Sequence, residues 1–246
     1  MISIAPTITV TTPADYAREI EKLRFAPRLH IDIADGEFAP NLTVNLNQVY
    51  WDKDKIIDLH LMIRKPIDWL HQIVALHPSR AIFHVESDEA AKNLPKIRKH
   101  LAKFGIKFGV AILPETRVKD VRGLVAIASY VLIFGGRLGF QGGTADLTIL
   151  KKVAQIREVW NDCHPELDSG SSTSQEKNTT GKMLKQVQHD KTLEIAWDGG
   201  ANAENVREIV AAGVDIVNVG SAIAKNENPE KAYDELMRIA NKNDSR

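Results

Sequence analysis

The chain has 246 residues, of which 43% are apolar and 26% charged, so it can bury the core of one large α/β domain or two small ones. Lys plus Arg and Asp plus Glu number 32 each, which leaves no general electrostatic attraction to nucleic acid or to an anionic membrane. The single cysteine, Cys163, excludes an internal disulfide and fits a reducing compartment.

The N-terminus has neither a basic region nor a long apolar run, and the longest apolar run, residues 124–134, is too short to span a bilayer. We therefore expect an unprocessed cytoplasmic protein that contacts neither membrane nor nucleic acid. A small-molecule ligand remains open.

Strand-like and helix-like segments alternate along the chain. Eight short apolar segments read as strands: residues 3–9, 29–33, 56–62, 80–85, 107–113, 130–134, 193–197 and 216–219. Between them lie helical patterns: residues 13–23, 66–76, 88–104, 116–128, 145–160, 203–212 and 229–240, with the least regular pattern in 40–55. Because the strands are too apolar to have a solvent-exposed face, this alternation favours a closed (β/α)8 TIM barrel over a doubly wound sheet.

One segment, residues 161–192, interrupts the alternation. It is polar, rich in Ser, Thr, Gly and Lys, and almost without apolar periodicity. It joins a helix to the seventh strand, on the face opposite the βα loops that build active sites in barrels. We predict a single domain, 1–246, with a flexible insertion at 161–192 whose His164 and His189 are solvated.

Polar side chains occur at the ends of three predicted strands, in His30-Ile31-Asp32, His60-Leu61-Met62 and Trp197-Asp198-Gly199-Gly200. In a barrel these ends converge, so the sequence predicts a site of two imidazoles and two carboxylates. Such a donor set suits one divalent ion, Zn²⁺, Fe²⁺, Mn²⁺ or Co²⁺.

Histidines also have ordinary structural roles. A lone histidine at a strand end is more often a hydrogen-bonded core residue than a ligand. Two histidines and two aspartates together, in register with eight βα units, favour the metal site. His84 is expected to be a buried, hydrogen-bonded histidine. We expect His71, His77 and His100 to face solvent.

Paired glycines indicate an anion site beside these residues. Gly199-Gly200 and Gly220-Ser221 follow the last two strands and precede helical segments, where backbone N–H groups can approach a phosphate. A third wall is expected from Gly135-Gly136 and from the loop that contains Gly139, Gly142 and Gly143. The alternative is that all of them are only turn glycines.

Several motifs resemble those of ribulose-phosphate 3-epimerases. The first is Leu29-His30-Ile31-Asp32-Ile33-Ala34-Asp35-Gly36, followed by Phe38, Pro40 and Asn41. Others agree in order and spacing: Asp58-Leu59-His60-Leu61-Met62, Phe83-His84-Val85-Glu86, Gly139-Phe140, Asp198-Gly199-Gly200, Asn205, Ala212-Gly213-Val214-Asp215 and Gly220-Ser221-Ala222-Ile223. The resemblance spans residues 2–240 apart from the insertion.

The resemblance implies a role for each predicted site residue. His30, Asp32, His60 and Asp198 would bind the metal, with Asp32 and Asp198 doubling as the acid/base pair that epimerises C3 of a ketose phosphate through an enediolate. It also implies a homo-oligomer and a sugar-phosphate site, formed by Thr7, Met62, Gly139, Gly142, Gly143, Gly199, Gly200, Gly220 and Ser221.

Departures from the family pattern put the substrate in question. Ala34 and Phe134 stand where the family has methionine, Thr7 replaces a serine, and the glycine loop begins Leu138-Gly139 after Arg137. Three hypotheses remain: a ribulose 5-phosphate 3-epimerase, an epimerase of another ketose phosphate such as a hexulose 6-phosphate, and a non-catalytic phosphate-binding barrel. Decarboxylation of orotidine phosphate is disfavoured because no lysine lies between Asp32 and Asp35.

Overall fold

Eight parallel strands close into a barrel in the computed structural model, which describes residues 1–136, 138, 142–165 and 192–242. They are β1 (Ser3–Ile8), β2 (Arg28–Ala34), β3 (Ile56–Met62), β4 (Arg80–His84), β5 (Lys107–Ile112), β6 (Tyr130–Phe134), β7 (Glu194–Asp198) and β8 (Ile216–Val219). Each strand pairs with its neighbours in chain order, and β8 pairs with β1. The predicted (β/α)8 barrel is confirmed, with strand boundaries within one residue of those expected.

The helices between the strands, and two more after β8, cover the outside of the barrel. They are α1 (Pro13–Lys22), α2 (Leu70–Leu76), α3 (Ala90–Ala102), α4 (Arg122–Ala126), α5 (Lys151–Cys163), α6 (Val206–Ala211), α7 (Ser221–Ala224) and α8 (Pro229–Ala240). A 3₁₀ turn precedes each of α2, α4 and α5, so the predicted helices there begin in tighter geometry: Pro66–Trp69, Val118–Val121 and Leu147–Leu150.

A helix over residues 40–55 is not present, and that prediction was wrong. The segment holds only a 3₁₀ turn, Leu46–Gln48, with Asn45 as its cap. The backbone before this turn instead pairs with strand ends: Thr43 N–H donates to Ala34 O and Val44 N–H donates to Val10 O. These tertiary bonds hold the chain extended where a helix would need its own i to i−4 bonds.

Helix α5 extends past residue 161, where the insertion was predicted to begin. Helix α5 continues through Cys163, and the ring of His164 stacks on Trp160 with centroids 4.3 Å apart, so His164 packs on the helix instead of standing in solvent. Residues 166–191, which include His189, lie outside the described residues. Of the helical histidines, His71 and His77 are exposed as predicted, whereas His100 is half-buried beside Phe104.

The barrel interior is closed at its amino-terminal end and open at its carboxyl-terminal end. Inward-facing apolar residues fill the middle: Ala5, Ile82, Ala111, Tyr130, Leu132, Ala196 and Ile216. Below them, Asp58 pairs with Arg28 and Arg80. The plugged interior leaves only the carboxyl-terminal ends of the strands for a site. Across the described part of the chain, no helix combines the length and apolarity that crossing a membrane would require.

Candidate metal centre and active-site cleft

The four predicted ligands meet at the carboxyl-terminal end of the barrel. His30 and Asp32 are two residues apart on β2, so both side chains point inward. Asp32 lies opposite His60 in the β2–β3 register, and Asp198 is the last residue of β7. All four are buried, with Asp32 and Asp198 retaining 7% and 9% exposure toward the cleft.

The donor atoms of these residues are close enough to share one cation. His60 Nδ1 lies 2.8 Å from Asp32 Oδ1. His30 Nε2 lies 3.3 Å from Asp32 Oδ1 and 3.3 Å from Asp198 Oδ2. One ligand atom from each of the four residues falls within 4.8 Å of the others. The convergence expected from the sequence is present.

The electrostatics of this group favour an added positive charge. Burial alone would lower the pKa of His30, but the adjacent carboxylates of Asp198 and Asp32 raise it to about 10. Burial alone would raise the pKa of Asp32, yet the contacts with His30 and His60 hold it well below its usual range. The carboxylates therefore stabilise a proton or a metal cation placed between them.

Unsatisfied atoms in the group fit a metal ion. Within the residues that the structure describes, His30 Nδ1, His30 Nε2 and Asp198 Oδ2 are buried without a well-aligned hydrogen-bond partner. Buried polar atoms without partners are costly, and a bound ion is one of the few arrangements that would satisfy them here. Two imidazole nitrogens and two carboxylates could hold a borderline divalent ion.

Thr9, which the sequence analysis missed, fixes one carboxylate of the site. Its hydroxyl donates to Asp32 Oδ2 at 2.6 Å, while Asp32 Oδ1 faces the two imidazoles. Thr9 follows β1, two residues after Thr7 and on the same face. That spacing was the available signal for Thr9.

A cleft above the ligands contains nearly all the predicted substrate residues. It is lined by Asp32, Asp198, Thr7, Met62, Gly142, Gly143, Gly199, Gly200, Gly220 and Ser221. Gly139 and Arg137 lie outside the described residues. The cleft also includes Phe134, Ala201 and Asn218, which were not predicted.

Two glycines in the cleft wall are required by close backbone contacts. Gly199 has φ +126°, and a Cβ there would lie 2.2 Å from Gly136 N. Gly200 has φ +66°, and its Cβ would lie 2.3 Å from Ala145 N. The loops after β6 and β7 can approach each other only because neither residue has a side chain.

A cationic side chain reaches the same wall. A side-chain carbon at Gly142 would lie 3.8 Å from Ser221 Oγ and 4.0 Å from Lys225 Nζ. Glycine backbone and a hydroxyl therefore line this part of the cleft, with an ammonium group close to Gly142. This combination suits an anionic group on a ligand.

Comparison with known proteins agrees with this geometry. The sequence model of the Ribulose-phosphate 3 epimerase family matches residues 3–180. A ribulose-phosphate 3-epimerase from Helicobacter pylori (strain ATCC 700392 / 26695) is 26% identical over 97% of this chain and 98% of its own length. One from Bacillus subtilis (strain 168) is 27% identical over 96% and 98%.

Solved structures support the fold independently. The 3-hexulose-6-phosphate synthase from Salmonella typhimurium superposes with a TM-score of 0.62 at 13% identity, covering 97% of this chain and 98% of its own. That likeness concerns the barrel alone. The family match covers most of the chain and includes His30, Asp32 and His60. This chain belongs to the ribulose-phosphate 3-epimerase family of isomerases.

Proposed function

We propose that this protein interconverts D-ribulose 5-phosphate and D-xylulose 5-phosphate by epimerising C3. The observation that carries the proposal is the pair Asp32 and Asp198, which lie on separate strands, contact the same His30 nitrogen and both reach the cleft. Epimerisation next to a ketone requires one group to remove a proton and a second group to return one to the opposite face. Two carboxylates on separate strands supply that pair.

The two carboxylates would exchange roles with the direction of reaction. Thr9 and the two imidazoles orient Asp32, which lines the cleft and would take or return a proton at C3. Asp198 reaches the cleft from β7 and would act on the other face. After one turnover each carboxylate is in the protonation state in which the other began, so protons must exchange with solvent before the next turnover in the same direction.

His30, Asp32, His60 and Asp198 would hold one divalent ion, Zn²⁺, Fe²⁺, Mn²⁺ or Co²⁺. When bound, the ion supplies a positive charge that stabilises the negative charge developing on the substrate oxygens. It also lets two carboxylates remain close together without their full mutual repulsion.

The glycine wall would hold the substrate phosphate. Gly199, Gly200 and Gly220 expose backbone along the cleft, with Ser221 Oγ and Lys225 Nζ beside Gly142. Thr7 and Met62 would line the path between phosphate and metal. Anchoring the phosphate places C3 between the carboxylates, which is the positioning that proton transfer needs.

A second ketose phosphate is the rival substrate because Ala34 stands where the family has methionine. Ala34 is 2% exposed and packs in a small cluster with Ala39 and Met62, next to Phe38. Met62 also lines the cleft, so the residue packed behind it bears on the substrate that the cleft accepts. The test therefore includes a hexulose 6-phosphate.

The experiment is an epimerisation assay on purified protein stripped with a chelator and then supplied separately with Fe²⁺, Mn²⁺, Zn²⁺ or Co²⁺. We expect metal-dependent conversion of ribulose 5-phosphate that exceeds conversion of a hexulose 6-phosphate. Preference for the hexulose would select the rival substrate. No turnover of either sugar would select a non-catalytic phosphate-binding barrel.

Metal content tests the ligand set without relying on turnover. We expect about one divalent ion per chain in the native protein and a large loss of it in the His60→Ala variant. His71→Ala, which changes an exposed histidine, is the control and should keep its metal. Unchanged occupancy in His60→Ala would remove His60 from the site.

A further inference from the structure

A chain of buried side chains continues outward from the metal-site residue His60. His60 Nε2 lies 2.9 Å from His84 Nε2, and His84 Nδ1 lies 3.3 Å from Glu86 Oε2. Both imidazoles are fully buried, and the Glu86 side chain is 20% exposed. The proposed reaction uses neither His84 nor Glu86.

Glu86 is held as a hydrogen-bond acceptor. Its Oε1 accepts the Leu113 backbone N–H at 2.9 Å, so the carboxylate is turned toward a fixed donor on the loop after β5. Lys152 secures that loop by donating Nζ to the carbonyl oxygens of Leu113 at 2.7 Å and Thr116 at 2.6 Å. An ionised carboxylate can only accept, so the bond to His84 must come from His84 Nδ1–H.

The donor at His84 Nδ1 fixes the direction of the next hydrogen bond, between His84 and His60. A neutral imidazole has one N–H and one lone pair, so His84 with its proton on Nδ1 presents a lone pair at Nε2. His60 must then donate its Nε2–H to that lone pair. The remaining His60 nitrogen, Nδ1, lies 2.8 Å from Asp32 Oδ1 inside the ligand group, where its lone pair would be available to a bound cation.

We infer that Glu86 and His84 are positioning residues that fix the His60 tautomer with its lone pair on Nδ1, directed at the cation. The opposite order would set a bare His84 Nδ1 against the Glu86 carboxylate with no group between the two lone pairs, whereas the lone pairs of His60 Nδ1 and Asp32 Oδ1 would both be used by the cation that these residues share. Outer partners of metal-binding histidines act in this way in many metal sites. The inference rests on the proposed metal site.

The first test is the tautomer itself, read from long-range ¹H–¹⁵N correlations of the histidine rings in the Zn²⁺-loaded protein. We expect a proton on His84 Nδ1, a proton on His60 Nε2, and zinc at His60 Nδ1. A proton on His84 Nε2, or zinc at His60 Nε2, would overturn the inference. If the native protein takes up no metal, the proposed function fails at that point and the result is distinguished from a wrong tautomer.

The second test is Glu86→Gln, which keeps the side-chain size. The Leu113 N–H still needs an acceptor, so the glutamine oxygen stays there and its NH₂ group turns to His84 Nδ1. The protons then move to His84 Nε2 and His60 Nδ1, so His60 is protonated on the nitrogen that should bind the cation. We expect the reversed pattern in the metal-free variant and Zn²⁺ affinity about 10- to 100-fold weaker in a competition titration.

Glu89→Gln is the matched control, because Glu89 is an exposed carboxylate three residues away that pairs with Lys92. It removes the same charge and should change neither the histidine tautomers nor Zn²⁺ affinity. A folded Glu86→Gln protein with native tautomers, or with Zn²⁺ affinity within twofold of native, would show that Glu86 does not direct His60.

Discussion

Asp32 is held by three separate side chains, and this determines how it can act. Thr9 donates to one carboxylate oxygen, and His60 and His30 face the other. A general base is efficient only when its free lone pair points at the proton that it removes. Thr9 is the one partner of the three that is not a proposed metal ligand, so it can be changed without removing a ligand.

We therefore expect Thr9→Val to lower kcat about tenfold while leaving metal content unchanged. Valine keeps the shape but loses the 2.6 Å bond to Asp32, and a hydrogen bond to a charged group contributes roughly 1.5–3 kcal/mol. Steady-state kinetics and metal analysis measure the two effects. Thr9→Ser keeps a hydroxyl and should retain most activity. Native kcat in Thr9→Val would remove this role.

The same residues show how far sequence reasoning reaches at this scale. His30 and Asp32 are predictable because strand periodicity puts them on one face at a strand end. His60 and Asp198 follow from the convergence of strand ends in a barrel. Thr9 offers only its two-residue spacing from Thr7 as a signal, and Asn218 offers none, since their places in the cleft depend on how neighbouring strands are staggered around the barrel.

At the scale of elements, the loops after β6 and β7 are packed backbone to backbone. Gly135 N–H donates to Asp198 O, and Gly199 lies against Gly136. This contact sets the position of Asp198 and of the cleft wall together. A side chain in the contact would displace both.

We expect Gly199→Ala to destabilise the protein by at least about 1–3 kcal/mol, the usual cost of a strained backbone conformation. It should also reduce turnover sharply, because its Cβ would lie 2.2 Å from a backbone nitrogen. Thermal unfolding and kinetics measure these effects. Gly123→Ala, in α4 with nothing within 4 Å of its Cβ, is the control and should be neutral or slightly stabilising. Similar Tm and activity for the two variants would contradict the contact.

Element prediction succeeded where apolar periodicity controls structure and failed where tertiary bonds do. The eight strands are short apolar runs bounded by polar residues, and all eight were expected. The segment 40–55 took its structure from backbone bonds to Ala34 and Val10, which no local pattern reveals. The extension of α5 to Cys163 was missed because Asn161 and Asp162 are poor helix formers in isolation.

For the whole molecule, a buried charge cluster closes the barrel end opposite the cleft. Asp58 is fully buried, accepting from Arg28 Nε at 2.7 Å and from Arg80 Nη1 at 2.8 Å. Burial alone would raise the pKa of Asp58, but the attraction of Arg80 and Arg28 holds it below its ordinary value. Its ionised form therefore stabilises the fold.

We expect Asp58→Asn to lower the free energy of unfolding by about 3–5 kcal/mol at neutral pH, because two guanidinium groups lose their buried partner. The folded pKa of Asp58 is below the unfolded value of about 3.9, so its contribution is complete above that value and is lost as pH falls below it. Urea unfolding at a series of pH values gives the free energy of unfolding of both proteins. The native and variant values should converge only in that acid range. Asp52→Asn, at an exposed site, should have little effect. Convergence near neutral pH would contradict the assignment.

The insertion is expected to be dispensable. It leaves α5 and enters β7 at the amino-terminal end of the strand, whereas Asp198 and the cleft lie at the other end. Replacing residues 166–191 by a short Gly-Ser linker should leave kcat and metal content near native and change stability by about 1–2 kcal/mol, since loop-closure entropy varies slowly with length. The contrary result is a folded truncation that loses more than about tenfold in turnover, which equals roughly 1.4 kcal/mol of barrier. That result would place the segment near the active site.

The most direct test of the central claim is an NMR assay of ribulose 5-phosphate turnover in D₂O, with chelator-treated and metal-reconstituted protein. We expect xylulose 5-phosphate carrying solvent deuterium at C3 from the first turnovers. Formation of this product should stop after chelation and return when a divalent ion is added. It should also be lost in Asp32→Asn and in Asp198→Asn, although both variants remain folded. Product without deuterium at C3, turnover that survives chelation, or near-native turnover in either aspartate variant would contradict the proposed two-carboxylate, metal-assisted epimerisation.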